Sequence, residues 1–336
     1  MIAETQAPQC GIPWMQEGPF GLMVHWLSVT QPREGQAISN WNDKVDAFRL
    51  EHFWSQVRQS GAKWLIFPFG QNTGRYCSPN SYLNHEFPGL CSNRDLFGEI
   101  ARLARRDGIK MIGYLPSEVD AQPEETRRFW EWDAHPEDKS RFQEKYQRFI
   151  RAYAESLGEL LNGWWFDGCY NASTNPYLRT QTWHNGRFDF PAWQAAARAG
   201  NPAAVLAMNM DANDGRYPFP DLDYTAGECN DLDALKCDSP LVNGRVQWHA
   251  LLWIDCSWVH AEKPGLIAPP RFTLDELHAF VGGAHANGGG VTLNIGIYED
   301  GSLADPSLDQ LAALSERMRH PRIHEPQRPV SLAGHE

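Results

Sequence analysis

The sequence predicts an α/β fold, a (β/α)8 TIM-like barrel. Three observations point there. Short apolar runs alternate with amphipathic stretches, the pattern of parallel strands joined by crossover helices. The runs number eight, as a closed barrel requires. The 336 residues match one barrel with decorated loops.

The runs read as strands at Gly21–Trp26, Lys63–Phe69, Lys110–Leu115, Trp164–Asp167, Ala203–Asn209, Asp223–Ala226, Val246–Ile254 and Gly290–Ile295. Between them, apolar residues recur at helical spacing. Arg49–Ser60 carries Phe53, Trp54 and Val57, and Arg94–Arg106 carries Leu96, Ile100, Leu103 and Ala104. Ser140–Leu161 is the longest such stretch, followed by Phe190–Ala199, Thr273–Ala286 and Ser307–Met318. Thr273 with Glu276 forms a capping box that marks a helix start. The spans Asn213–Pro220 and Cys229–Arg245 read as loops at the face where a barrel keeps its active site. Residues 1–320 are assigned to the barrel. Residues 321–336, with Pro321, Pro326 and Pro329, are assigned to an extended tail.

Composition excludes several classes. Hydrophobic residues make up 42% and charged residues 21%, which suits a large core and argues against disorder. The net charge of −12 and the lack of a basic run would repel phosphates, so no nucleic-acid partner is expected. Seven cysteines (Cys10, Cys77, Cys91, Cys169, Cys229, Cys237, Cys256) are widely spaced with no C-x-x-C, which fits reduced thiols and gives no zinc signal. The first 18 residues lack the basic and apolar regions of a leader, and no segment reaches the length of a membrane span. The expectation is a cytoplasmic protein with no membrane partner. The sequon Asn171-Ala172-Ser173 matters only in a secreted eukaryotic context. Fourteen tryptophans lean towards carbohydrate, because the C–H faces of sugars pack on indole. Core packing is the competing explanation.

Barrel enzymes carry their chemistry at the C-terminal ends of strands. That rule selects His25, Asp167, Asn209, Asp211, Glu228, Asp255 and Asn294. Asp167 is the sharpest candidate. It follows the apolar run Trp164-Trp165-Phe166, where a carboxylate is costly unless paired or functional. A structural Asp that accepts loop N–H groups is the other reading. Glycoside cleavage needs two carboxylates flanking the scissile bond, ~5–5.5 Å apart when configuration is retained. Glu228 is the natural partner, although Asp221, Asp223, Asp231 and Asp233 lie in the same region and a solvated glutamate is the commoner fate. Tyr114 ends the third strand, within reach of the nucleophile or substrate. Trp41 and Trp248 are candidate sugar platforms or plain packing residues. Cys169 and Cys229 read as neutral packing thiols. His249 and His260 flank a strand without metal-site spacing, so no metal is expected.

These residues also carry a resemblance. GPFGLMVHW resembles the first strand of α-L-fucosidases, which bears a sugar-binding His before Trp, here His25-Trp26. SGAKWLIFPFG, after the helix-like FWSQVRQ, resembles their second strand, and AVLAMNM their fifth. GWWFDGCY is similar to the nucleophile strand, with Asp167 in place, and DYTAGE to the segment that delivers the acid/base, here Glu228. GGGVTLNIGIYEDGSL is similar to the last strand and turn. The resemblance runs from about Gly18 to Met318.

It implies a retaining exo-glycosidase of the (β/α)8 type, with Asp167 as nucleophile and Glu228 as acid/base. His25, Gln71, Asn72, Tyr114 and Asn209 would hold ring hydroxyls, with no cofactor. Two departures stand out. The family's paired histidines after the second strand read Gln71-Asn72 here, and amides offer different donors from imidazoles. The chain also ends soon after the barrel, so the usual C-terminal β-sandwich is not expected. A neighbouring subunit in a homo-oligomer would then be free to cover the site. An α-L-fucoside is the first expected substrate, with an L-galactoside or another α-configured deoxy sugar or pentose next. The rivals are a catalytically inactive carbohydrate-binding barrel and a metal-dependent barrel hydrolase. Retention of both carboxylates opposes the first, and the absence of H-x-H or H-E-x-x-H opposes the second.

Overall fold

The computed structural model describes residues 11–135, 138–169 and 188–320. The sequon and the proline-rich tail lie outside them. Eight parallel strands form the barrel sheet: β1 (Gly21–Met23), β2 (Trp64–Pro68), β3 (Lys110–Pro116), β4 (Gly163–Asp167), β5 (Val205–Met208), β6 (Glu228–Cys229), β9 (His249–Trp253) and β10 (Gly290–Asn294). Two further strands, β7 (Leu241–Val242) and β8 (Val246–Gln247), make an antiparallel hairpin. The sheet runs β5-β4-β3-β2-β1-β10-β9-β6.

Helices fill the connections: α1 (Pro13–Glu17), α2 (Trp41–Asp46), α3 (Leu50–Ser60), α4 (Ser81–Glu86), α5 (Leu96–Arg106), α6 (Glu124–Trp130), α7 (Ser140–Leu157), α8 (Phe190–Ala197), α9 (Leu274–Ala286) and α10 (Asp305–Arg319). The capping box at Thr273 and Glu276 is present. The long helix stops at Leu157, before the predicted Leu161, because Gly158 at φ +53° ends it and a 3-10 turn follows. The four short helices α1, α2, α4 and α6 were not legible, since five to seven residues hold too little periodicity. Among the described residues no helix is long and apolar enough to cross a membrane.

The sixth strand departs from the prediction. Asp223–Ala226 is not a regular strand. Gly227 sits at φ +65°, and any Cβ there would strike the His249 carbonyl. The chain kinks at that glycine, and the ladder forms one step later, at Glu228–Cys229, so Glu228 lies on the strand. The segment before the kink still closes the ring. Asp223 N–H donates to Leu206 O (3.1 Å), Leu206 N–H donates to the Asp223 carboxylate (2.8 Å), and Thr225 N–H donates to Gln247 O (3.0 Å). The predicted strand Val246–Ile254 is likewise split, into the hairpin strand β8 and the barrel strand β9. The span read as the loop Cys229–Arg245 therefore leaves the catalytic face and descends to a hairpin at the opposite end.

Strand alternation sorts the side chains. Met23, Trp64, Ile66, Ile112, Tyr114, Trp165, Ala207, Tyr224 and Leu251 pack together in one interior cluster. A larger cluster, including Leu22, Leu65, Phe67, Trp164 and Phe166, faces the helices. The floor is sealed. Met15 on α1 joins the interior cluster, Trp64 Nε1 donates to Thr292 Oγ1 (2.7 Å), and Gly21 and Gly290 lack side chains where Trp64 and Met15 lie. With that end filled, the C-terminal mouth is the open end of the barrel among the described residues.

Candidate active site

The alternation that buries Met23, Trp165 and Ala207 directs His25, Asp167 and Asn209, each two positions further along, into the mouth. Asp167 is held on both oxygens. Oδ1 accepts from Gly168 N–H (2.9 Å) and Asn209 Nδ2 (3.0 Å). Oδ2 accepts from the Tyr114 hydroxyl (2.5 Å) and, at 3.5 Å, from Gln71 Nε2. Gln71 Nε2 also donates to the Tyr114 oxygen (2.5 Å). Tyr114 is in turn stacked on Trp165, with centroids 5.4 Å apart. The Asp167 backbone carbonyl accepts from Ser117 N–H and Oγ, which ties β4 to the end of β3.

Asn209 Nδ2 hydrogen-bonds Glu228 Oε2 as well as Asp167. One nitrogen thus serves two carboxylates, and the two oxygens lie no more than about 6 Å apart. Burial, and then the charge of Asp167, push the Glu228 carboxyl up to about 8, against the Asn209 hydrogen bond. Asp211 adds a smaller push in the same direction. Near neutrality Glu228 therefore carries a proton. Such a pair of carboxyls, one of them kept protonated by its surroundings, is what proton donation to a leaving group requires.

His25 completes one wall. Nδ1 contacts Asn294 Oδ1 (3.2 Å), while Asn294 Nδ2 donates to Trp258 O (3.2 Å). That chain places the proton on Nδ1 and leaves Nε2 as an acceptor. Burial lowers His25 below its usual value, opposed by the Asn294 bond and the Asp167 charge, which favours the neutral ring. The ring meets Tyr114 and Trp258 edge-on, with centroids at 5.0 and 5.9 Å.

Other predicted residues lie elsewhere. Asn72 is exposed on the turn after β2, and its side chain forms no hydrogen bond among the described residues. Trp41 is half-buried. Its Nε1 donates to Tyr76 O (3.0 Å) and its ring leans on Trp26, beside a cleft of about 480 Å³ that Ser28 and Thr73 also line. Trp248 is buried just before β9, at the sealed end of the barrel, and packs under Gly289. The structure does not bring it to the mouth. Asp255, selected by the strand-end rule, is a turn residue. Its oxygens accept from Gly296 N–H (2.9 and 3.0 Å) and Cys256 N–H (2.6 Å). Asp223 is taken up by Arg198 (2.6 Å) and Leu206. His249 lies inside the lower barrel, bonded to Thr292 Oγ1 (2.7 Å) and lowered to about 4 by burial. Cys169 and Cys229 are buried and pushed up to about 12, which makes them neutral. The six described cysteines are free. Among the described residues no cluster of three His, Cys, Asp or Glu side chains is arranged to hold a metal ion.

Two residues at the mouth escaped the sequence reading. Trp258, at φ +60°, borders His25 from the loop after β9, where no strand-end rule reaches. Glu118 lies two residues beyond β3 and packs against Gly168, directly after Asp167. Burial raises its carboxyl to about 7, opposed by its bond from Asp120 N–H (2.7 Å). Carrying the strand-end rule past Tyr114 to Glu118 would have found it.

The sequence model described as Alpha-L-fucosidase matches residues 37–320. Among solved structures, the chain is similar to the endo-fucoidan hydrolase P5AFcnA of glycoside hydrolase family 107, at 16% identity and a TM-score of 0.65, over 91% of this chain and 92% of that one. It is similar to the alpha-L-fucosidase AlfC from Lactobacillus casei, solved with its alpha-L-fucose product, at 13% identity and a TM-score of 0.58, over 91% and 98%. The Thermotoga maritima alpha-fucosidase matches at 16% identity and a TM-score of 0.59, over 92% and 74%. At such identities these structures speak to the fold. No curated protein gave a significant match.

Proposed function

The chain belongs to the alpha-L-fucosidase family, and on that premise we propose that this glycoside hydrolase is a retaining exo-glycosidase that releases a terminal sugar through a covalent glycosyl-enzyme. The observation that carries the reading is the shared amide of Asn209, which keeps Asp167 and Glu228 close. With the two bonded oxygens no more than about 6 Å apart, the arrangement favours the ~5–5.5 Å of retaining enzymes over the ~6.5–9.5 Å that inverting enzymes need to seat a water. Asp167 attacks the anomeric carbon as the glycosidic bond breaks, and Glu228 gives its proton to the departing oxygen. Glu228 then takes a proton from water, which attacks the anomeric carbon and frees Asp167.

Tyr114 and Gln71 fix the attacking carboxylate. His25 Nε2 accepts from a ring hydroxyl, and Asn72 and Trp41 are the remaining candidates for sugar contact. The hydrogen-bonded placement of both carboxyls speaks against an inactive binding barrel. An α-L-fucoside is the first substrate to try, but the Gln71-Asn72 pair, standing where the family's paired histidines are expected, favours a related sugar such as an L-galactoside as the true substrate. The test is proton NMR of the first-formed product from an aryl glycoside panel that includes the α-L-fucoside. Retention at the anomeric carbon supports the reading, and the opposite anomer rules it out.

A further inference from the structure

The resemblance to α-L-fucosidases implies that Asn209 holds sugar hydroxyls. Its surroundings indicate otherwise. Asn209 directly follows β5, is 1% exposed, and is anchored by its backbone N–H donating to Phe166 O (2.7 Å). Both amide hydrogens are engaged, one with Asp167 Oδ1 and one with Glu228 Oε2. The amide oxygen is sealed from solvent and has no hydrogen-bond partner among the described residues. A sugar approaching through the mouth therefore finds neither a spare donor nor a reachable acceptor on this residue.

We propose that Asn209 is a positioning residue that shares its two amide hydrogens between nucleophile and acid/base, handing support from one to the other as negative charge moves, and that it touches no sugar hydroxyl. The proposal rests on the retaining reading above. Before reaction the charge sits on Asp167. As an Asp167 oxygen bonds to the anomeric carbon, the C–O bond to the leaving group breaks with its electron pair. The Glu228 proton passes to that oxygen. Asp167 is now a neutral ester and Glu228 the carboxylate. Water attack reverses the exchange. The pair carries one negative charge at both stations, and a donor fixed between them stabilises whichever oxygen holds it without reorganising. The amide orientation follows from the same requirement, because turning the oxygen towards an ionised carboxylate would set two acceptors face to face.

Asn209→Leu keeps the branched shape in a larger, apolar side chain and removes both donors; Asn209→Ser retains one hydrogen and serves as the second variant if the first does not fold. Two readouts apply. The first is titration of Glu228 by carbon NMR of glutamate-labelled protein, assigned by its loss in Glu228→Gln. Losing the donor should move that titration upward, and an unmoved titration overturns the proposal whatever the enzyme turns over. The second uses 4-nitrophenyl glycosides of the L-fuco and L-galacto series together with their monodeoxy analogues. The variant should lose about 100-fold in kcat with little change in KM, by the same factor on every analogue. A loss that disappears for one deoxy position would make Asn209 a sugar ligand and overturn the proposal. Wild-type turnover that persists without Asp167 would sink the retaining reading instead, and the titration tells the two failures apart.

Discussion

The Tyr114 hydroxyl lies 2.5 Å from Asp167 Oδ2, the shortest described contact to that carboxylate. Tyr114 comes from the inward row of β3 and Asp167 from the inward row of β4, and the two strands pair in register with Pro116 opposite Asp167. Tyr114 reaches the carboxylate from two positions below, so the nucleophile's orientation is built into the ladder. Tyr114→Phe should preserve the stacking on Trp165 and lose this bond. Since a hydrogen bond to a charged group is worth ~1.5–3 kcal/mol, kcat should fall about 10- to 100-fold. Steady-state kinetics on the best aryl glycoside checks this; a change under twofold would show that the bond does not shape the reaction.

Glu228 sets the alkaline limb. Its carboxyl is raised to about 8 by burial and by Asp167, and a general acid works only while protonated. Activity as kcat/KM should therefore hold through neutrality and fall as pH rises past about 8. In Glu228→Gln that limb should vanish. Glycosides with poor leaving groups should slow by about 10²–10⁴-fold and those with good ones far less, because acid help matters most for the former. Equal slowing across leaving groups would move the role to another carboxyl.

Gln71 and Asn72 are neighbours in sequence with different surroundings. Gln71 touches Tyr114 and Asp167, whereas Asn72 is exposed on the turn. Gln71→Ala should lower kcat by about tenfold or more, whereas Asn72→Ala should act mainly on KM, by no more than a few-fold. The wild type should be weak on a plain aryl α-L-fucoside relative to its true substrate, and Gln71→His with Asn72→His should shift preference towards fucose. Competition kinetics between paired aryl glycosides measures this, and an efficient wild-type fucosidase would refute the specificity claim.

Asp255 should separate stability from chemistry. Its carboxylate accepts from the backbone N–H groups of Gly296 and Cys256. Asp255→Ala strands those buried donors, at a cost of ~1–3 kcal/mol. The melting temperature should drop while kcat/KM of the folded fraction stays within a few-fold of wild type. A catalytic collapse without destabilisation would return Asp255 to the list of working acids.

The strand frame was legible because alternating apolar runs such as Trp164–Phe166 leave few folding options, and Asp167 stood out as a carboxylate ending one of them. The Gly227 kink was not legible, since DYTAGE reads as an ordinary strand until the His249 carbonyl is seen where a Cβ would go. Trp248 and Trp258 illustrate the limit of composition. Both are tryptophans near the same strand, yet the residue before β9 is committed to the floor and the one after it reaches the mouth. Only the strand's direction in the barrel distinguishes them. Asn209 was found by its strand-end position, but its partners depend on three strands meeting, which no linear pattern encodes.

The most direct measurement is turnover by Asp167→Gly with and without sodium azide, on an aryl glycoside with a good leaving group. Removing the carboxylate should abolish nearly all hydrolysis, and azide, fitting the space it leaves, should restore release of the phenol and yield a glycosyl azide inverted relative to the substrate. Near-wild-type hydrolysis by Asp167→Gly in the absence of azide would contradict the assignment of Asp167 as the nucleophile.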